Sequence, residues 1–314
     1  MSKPRSLLLG LVALGFLVLS CLFGPLLLAD TGDGDPVHSA LLPPLTEVTV
    51  LELANGRFHV SPAVSREGDQ YRVGGRTSTE TVPAAEVIAE RNARLWLGSD
   101  RFGRDVLRQL LVGGRISLAV AALGVVVALV IGLTVGLAAA TGGSVVDAIL
   151  MRSVDALLAI PLLLLMILLS ALFRPGPVLL VVVLGFSSWM GLARLVRGQV
   201  LSLRSRTFIQ AARVAGTRPT RIWTLHYLPN IKAPVAQDTA LRMGDLVLAE
   251  ATLSFLGLGI PPNLPSWGGM VAEGQRVMLN GWWLSVFPGL AITLLVVSLA
   301  LIGDGLQRRG EASS

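Results

Sequence analysis

Cysteine and lysine are nearly missing from this chain of 314 residues: Cys21 is the one cysteine, and Lys3 and Lys232 are the only lysines. A lone cysteine excludes an intrachain disulfide and a cysteine-based zinc cluster. Neither lysine sits in a G-x-x-x-x-G-K-[ST] run, so the chain has no P-loop with which to bind nucleotide. The three histidines, His38, His59 and His226, are scattered and lack H-E-x-x-H spacing, and there is no G-x-S-x-G elbow. No catalytic residue and no metal-ligating set is expected. Charge is scarce as well, at 15% of residues, where soluble domains carry about 25%.

Long apolar runs fill the space that charge leaves. Hydrophobic residues make up 53% of the chain, and a bilayer-spanning helix needs about 20 of them in succession. Leu7–Ala29, Ile116–Gly143 and Trp282–Gly303 carry no charge and are long enough. Ala156–Phe173 and Pro177–Ala193 are shorter but similar. A sixth span is expected at Val235–Gly259, although it contains Asp238, Arg242, Asp245 and Glu250. At 100° per residue, positions 238, 242 and 245 fall within about 60° of one another, so one face is polar and the other can meet lipid. Leu7–Ala29 exceeds the ~7–15 residues of a secretory h-region and reads as a retained anchor. Gly132 and Gly136 form a small-xxx-small pair that lets helix backbones approach closely.

The basic surplus is local. Twelve acids and ten arginines nearly balance over Asp30–Arg115, whereas Arg194–Lys232 has eight Arg or Lys and no acid. Basic flanks mark the cytoplasmic side of a membrane protein, so nucleic acid is not an expected partner. Lys3 and Arg5 place the N-terminus inside, and Arg308-Arg309 place the C-terminus there too. Residues 30–95 are then extracytoplasmic. Within them Glu47–Val60 alternates around Asn55-Gly56, a hairpin signal. Gln70–Val73 and Thr77–Val82 add short strands, for a small β-rich subdomain at about 46–83. It serves either as a spacer or as a dock for an outer partner.

Thr207–Asn230, TFIQAARVAGTRPTRIWTLHYLPN, is the most informative stretch. Phe208–Ala215 can form one short helix. Gly216 allows a sharp turn because it lacks a Cβ, and Pro219 suits the first turn of a second helix. Pro229 is expected to end or kink that second helix. Two short helices crossing at a glycine make a knob able to sit in a socket on a motor domain. An ordinary interfacial amphipathic helix is the other reading.

Three motifs point the same way. Leu97-Gly98-Ser99-Asp100-Arg101-Phe102-Gly103-Arg104-Asp105-Val106-Leu107 leads into Gly114-Arg115-Ile116-Ser117-Leu118. The second is the loop with Gln210-Ala211-Ala212, Gly216 and Leu228-Pro229. The third is Leu248-Ala249-Glu250-Ala251-Thr252-Leu253-Ser254-Phe255-Leu256-Gly257-Leu258-Gly259, followed by Pro265-Ser266-Trp267-Gly268. Over 95–305 the chain resembles permeases of the dipeptide, oligopeptide and nickel ABC-importer family, in their smaller six-span form.

The resemblance implies an all-α polytopic membrane protein with six spans of the type I ABC-importer permease kind. It would carry an anchor helix at 1–29, the β-rich insertion between spans one and two, a core at 96–305 and a tail at 306–314. It implies a bacterial inner-membrane location with both termini cytoplasmic. It implies four kinds of partner: a second homologous permease in a heterodimer, two cytoplasmic ABC ATPases, an extracytoplasmic binding protein, and lipid. ATP and magnesium would belong to the ATPases, and this chain would hold no cofactor. The coupling loop, 199–232, would act through Gln210, Ala211, Ala212, Arg213, Gly216, Arg221, Leu228 and Pro229. The family has Glu where this chain has Gln210, which hydrogen bonds but supplies no charge. Asp238, Arg242, Asp245, Glu250 and Asp155 would either line the path or form an internal polar network. Peptides lead as cargo, with nickel or another small solute open. A secondary transporter or channel is the rival reading, and would show repeats or broken helices. A membrane-anchored interaction protein leaves five spans unexplained.

Overall fold

The computed structural model describes residues 5–28, 32, 34–75 and 79–311. The helix α1 (Arg5–Leu27) comes first. Six strands follow: β1 (Thr46–Leu53), β2 (Phe58–Ser61), β3 (Ala63–Glu67), β4 (Gln70–Gly74), β5 (Thr79–Pro83) and β6 (Val87–Leu95). The rest is helical: α2 (Val106–Thr141), α3 (Ser144–Leu158), α4 (Leu162–Leu172), α5 (Pro177–Arg204), α6 (Thr207–Val214), α7 (Pro219–Ile222), α8 (Leu228–Phe255), α9 (Trp267–Arg276) and α10 (Trp283–Glu311). Two compact units result, one of residues 17–116 and 262–291, the other of the remaining residues.

The first unit holds the strands. They form two antiparallel sheets, ordered β2-β1-β6 and β3-β4-β5. Asn55-Gly56 turns the β1–β2 hairpin as expected: Gly56 has φ +78°, and the Leu53 N–H donates to the Arg57 carbonyl at 2.9 Å. That is a three-residue loop with glycine in the left-handed position. Successive strand residues point to opposite faces, and β1 uses both. Val48 and Val50 pack with Val60 and Leu95. Leu51 and Leu53 pack with Tyr71, Val73 and Val82. The β region runs past the expected 83 to Leu95, because β6 pairs with all of β1. The expected start of β5 at Thr77 lies outside the described residues.

The 97–107 motif is a tight loop before α2. Gly98 and Gly103 take φ +81° and +75°. The Asp100 carboxylate accepts from the Phe102 N–H at 2.8 Å, the Arg104 N–H at 2.9 Å and the Arg104 guanidinium at 2.6 Å. Asp105 caps α2 by accepting the Leu107 N–H at 2.8 Å. Trp267 is buried, donates its indole N–H to the Leu110 carbonyl at 2.9 Å, and lies where a Cβ on Gly114 would meet it at 2.7 Å. The Pro265–Gly268 string thus packs as well as caps: Ser266 accepts the Gly269 N–H at the start of α9.

The second unit is helical. Among the described residues four helices, α1, α2, α5 and α10, are long and apolar enough to cross a bilayer, and the bent pair α3–α4 makes a fifth. α8 has the length, at 28 residues, and carries more charge than these five. The expected span Ala156–Phe173 is not one straight helix: α3 and α4 meet at a bend of 74° between Leu158 and Leu162. Pro161 is the cause: it lacks an N–H and disfavours helix at the residue before it. Glycines set the closest approaches. A Cβ on Gly132 would meet Leu192 at 2.9 Å, and one on Gly136 would lie 2.7 Å from the Ala193 carbonyl oxygen. This is the small-xxx-small contact between α2 and α5.

Candidate coupling elbow and buried charges

α6 and α7 meet at Gly216, whose φ is +72°. A Cβ there would meet nothing within 4 Å among the described residues, so the backbone turn and not crowding calls for glycine. The Thr217 N–H donates to the Ala212 carbonyl at 3.1 Å and the Gly216 N–H to the Arg213 carbonyl at 2.9 Å. These are the bonds of a glycine C-terminal cap. Pro219 starts α7, where a missing N–H costs nothing.

Three side chains latch this elbow to the helical core. Ile209 from α6, Ile222 from α7 and Tyr227 pack against Leu137 and Ala140 of α2, Leu192, Val196 and Val200 of α5, and Ile231 of α8. Ile209 and Tyr227 are fully buried. The Arg213 guanidinium donates to the Tyr227 hydroxyl at 3.2 Å, tying α6 to the turn that follows α7.

The opposite face is free of the core. Gln210, Ala211, Arg213, Gly216, Arg221 and Pro229 are exposed, while Ala212 and Leu228 are half-buried. Val214 is 90% exposed, an apolar tip turned away from the core. The Gln210 amide donates to the Ser205 carbonyl at 3.3 Å.

Of the two expectations for Pro229, an end to the second helix is not met: the chain passes through a π-helical turn, Trp223–Tyr227, straight into α8 with Pro229 in its first turn. The wider turn absorbs the missing donor. Helix therefore runs without a break from the start of α7 at Pro219 to the end of α8 at Phe255.

The charges of α8 separate into distinct places. Arg242 pairs with Asp238 one turn away, and its Nη1 donates to the Ser188 carbonyl of α5 at 2.8 Å. Asp245 is exposed and stands outside this bridge. Glu250 is fully buried, with the hydroxyls of Ser254 (2.7 Å) and Ser117 beside its carboxyl. Asp155 pairs with Arg194 of α5. A second α3–α5 bridge was not expected: Arg197 grips Asp147 through two bonds of 2.5 and 2.6 Å. The signal for it is a lone acid in the first turn of α3, facing a basic helix end. In the first unit, burial and then Asp100 push the Glu273 carboxyl up, while Arg101, at 2.9 Å, and Arg104 pull it down.

Residues 128–312 match the family described as binding-protein-dependent transport system inner membrane component. The chain is 41% identical over 210 residues to a protein of Brucella suis biovar 1 (strain 1330) named as a candidate peptide transport system permease, covering 67% of this chain and 71% of that one. It is 38% identical over 213 residues to the dipeptide transport system permease protein of Bacillus subtilis (strain 168), covering 68% and 67%. It is 36% identical over 215 residues to the di/tripeptide transport system permease protein of Pseudomonas aeruginosa (strain UCBPP-PA14), covering 68% and 71%. Among solved structures it is similar to a chain of the MetNI methionine ABC transporter in inward-facing form, at 20% identity and a TM-score of 0.47, covering 65% of this chain and 96% of that one.

Proposed function

The chain belongs to the family of inner membrane components of binding-protein-dependent transport systems, and from that premise we propose that residues 207–229 carry the motion of a cytoplasmic ATPase into its helices. The protein is a membrane-integral permease subunit of such a system, and the nucleotide chemistry belongs to partner chains. The elbow is the observation that supports the coupling role. It offers Gln210, Ala211, Arg213, Gly216 and Val214 outward, while Ile209, Ile222 and Tyr227 anchor it to α2, α5 and α8. Packed interiors transmit displacement with little compression, and the unbroken path from Pro219 to Phe255 gives that displacement a lever.

Alternating access is the mechanism we infer. Closure of two ATPases on ATP draws the elbow with them, and α5 and α8 move with it. The Asp238–Arg242–Ser188 bridge holds α8 to α5, and we read it as an internal network. The partners we infer are a second, different permease of the same family, two ATPases and an extracytoplasmic binding protein. Both termini lie on the cytoplasmic side with the elbow. The cargo we assign is a short peptide, the class for which relatives in Bacillus subtilis and Pseudomonas aeruginosa are named.

The test is purification of tagged chain from mild detergent with its co-purifying proteins counted. A second permease and P-loop ATPases at stoichiometric yield are expected, and Val214→Glu with Gln210→Arg should release the ATPases while the permease pair stays together. A chain that purifies without ATPases, or ATPases held equally by the double variant, overturns the coupling role of the elbow.

A further inference from the structure

Two of the three histidines, far apart in sequence, meet over one carboxylate. Asp35 and His38 lie on the turn before β1, and His59 lies on β2. The Asp35 Oδ2 is 2.8 Å from His38 Nδ1 and 3.2 Å from His59 Nδ1. Its other oxygen accepts the N–H groups of Val37 and His38, each at 3.1 Å. Ser39 fixes the turn from behind, donating to the Asp35 carbonyl at 2.9 Å. The side chain of His38 is wholly buried and that of Asp35 nearly so, while His59 is 16% exposed. Burial raises the Asp35 pKa, but its bonds to His59 and His38 outweigh that and hold it down to about 2.

The far side of His38 is the telling feature. Its Nε2 is buried without a hydrogen-bond partner among the described residues, and the Glu80 carboxylate lies 3.9 Å away. A carboxylate thus faces each ring nitrogen of His38. A cation on the Nδ1 side fits this arrangement. It takes the Nδ1 lone pair, moves the ring proton to Nε2, and turns it toward Glu80. That is the carboxylate–histidine–metal relay by which bound imidazoles are oriented.

We propose that Asp35, His38 and His59 form a binding site for one late first-row divalent cation of the zinc class, with Glu80 as the outer partner of His38. The donor set, two imidazole nitrogens and one carboxylate oxygen, suits that class. All three ligand atoms lie within 4.8 Å of one another, and ligands about 2.0–2.1 Å from a tetrahedral ion stand about 3.3 Å apart. The charges of Asp35 and Glu80 balance a divalent ion. Asp35 and His59 also line a cavity of ≈ 930 Å³, from which water completes the shell. The ion cross-links the turn before β1 to β2, and so clamps the β-rich insertion.

The experiment uses the full chain in detergent, purified on a tag without histidine and stripped with chelator. It is loaded with zinc, dialysed, and its metal content is measured. One zinc per chain is expected, with a raised melting temperature. His38→Gln and His59→Gln should each lose the zinc, and His226→Gln should keep it. X-ray absorption at the zinc edge of the unaltered protein, which needs no variant to fold, should show imidazole scattering. Zinc absent from the unaltered chain, zinc retained by the His38→Gln/His59→Gln pair, or a zinc spectrum without imidazole would each overturn the proposal.

Discussion

Ile209→Ala tests whether the elbow is latched or merely adjacent. Ile209 is the one buried residue of α6, and it packs into the cluster formed with α2, α5 and α8. Truncating a fully buried isoleucine to alanine costs about 2–5 kcal/mol, and to valine about 0.5–1.5. α6 has only eight residues, too few to hold a helix in water unaided, so the loss falls on its local opening. With 1.36 kcal/mol per factor of ten, an alanine cost of about 2–5 kcal/mol speeds amide exchange in α6 roughly 30- to 5,000-fold. The assay is hydrogen–deuterium exchange by mass spectrometry on the assembled complex, alongside ATP-driven uptake in vesicles. Exchange should rise over 207–216 in Ile209→Ala, change little in Ile209→Val, and stay constant in β1. Uptake should fall while ATP hydrolysis continues. Unaltered exchange in α6 would refute the latch, and a rise equally large in β1 would show that Ile209 supports the whole fold and not the elbow.

Three further substitutions probe the packing and the turn. Gly136→Leu places a side chain where the Cβ alone would lie 2.7 Å from the Ala193 carbonyl and from Val196; overpacking of about 1–3 kcal/mol or more should lower the detergent melting temperature and the yield, and an unshifted melting curve would contradict the α2–α5 approach. Arg242→Ala leaves Asp238 and the Ser188 carbonyl without their cation; about 3–5 kcal/mol is expected, largely recovered by pairing Arg242→Gln with Asp238→Asn, and a double-variant cycle without coupling would show that the bridge does not matter. Gly216→Val forces φ +72° on a branched residue at a cost of about 1–2 kcal/mol, so proteolysis within 207–229 should quicken, whereas Gly216→Asn should behave nearly as the parent.

Membrane class, the main spans and the elbow were legible in sequence for one reason: each is written in contiguous residues. An apolar run is long or it is not, and Gly216 and Pro219 act on their own backbone. The hairpin at Asn55-Gly56 was legible on the same ground. β6 was not, because AAEVIAERNARL is rich in helix formers, and pairing along the whole of β1 overrides that local preference. The break at Pro161 was visible as a residue but not as a bend of 74°.

What sequence alone determined is the protein's medium and its subunit role: too little charge and too much apolar length for water, no nucleotide loop, and motifs that resemble those of transport permeases. Tertiary structure decided which charges meet. Asp238, Arg242 and Asp245 share a helical face by arithmetic, yet a face specifies direction and not distance, and Arg242 is held by Asp238 and by the Ser188 carbonyl of another helix. Asp147 with Arg197, and Asp35 with His59, depend likewise on where separate elements come to rest. Side-chain interactions act over a few ångströms, and only the packed chain brings residues from different elements that close.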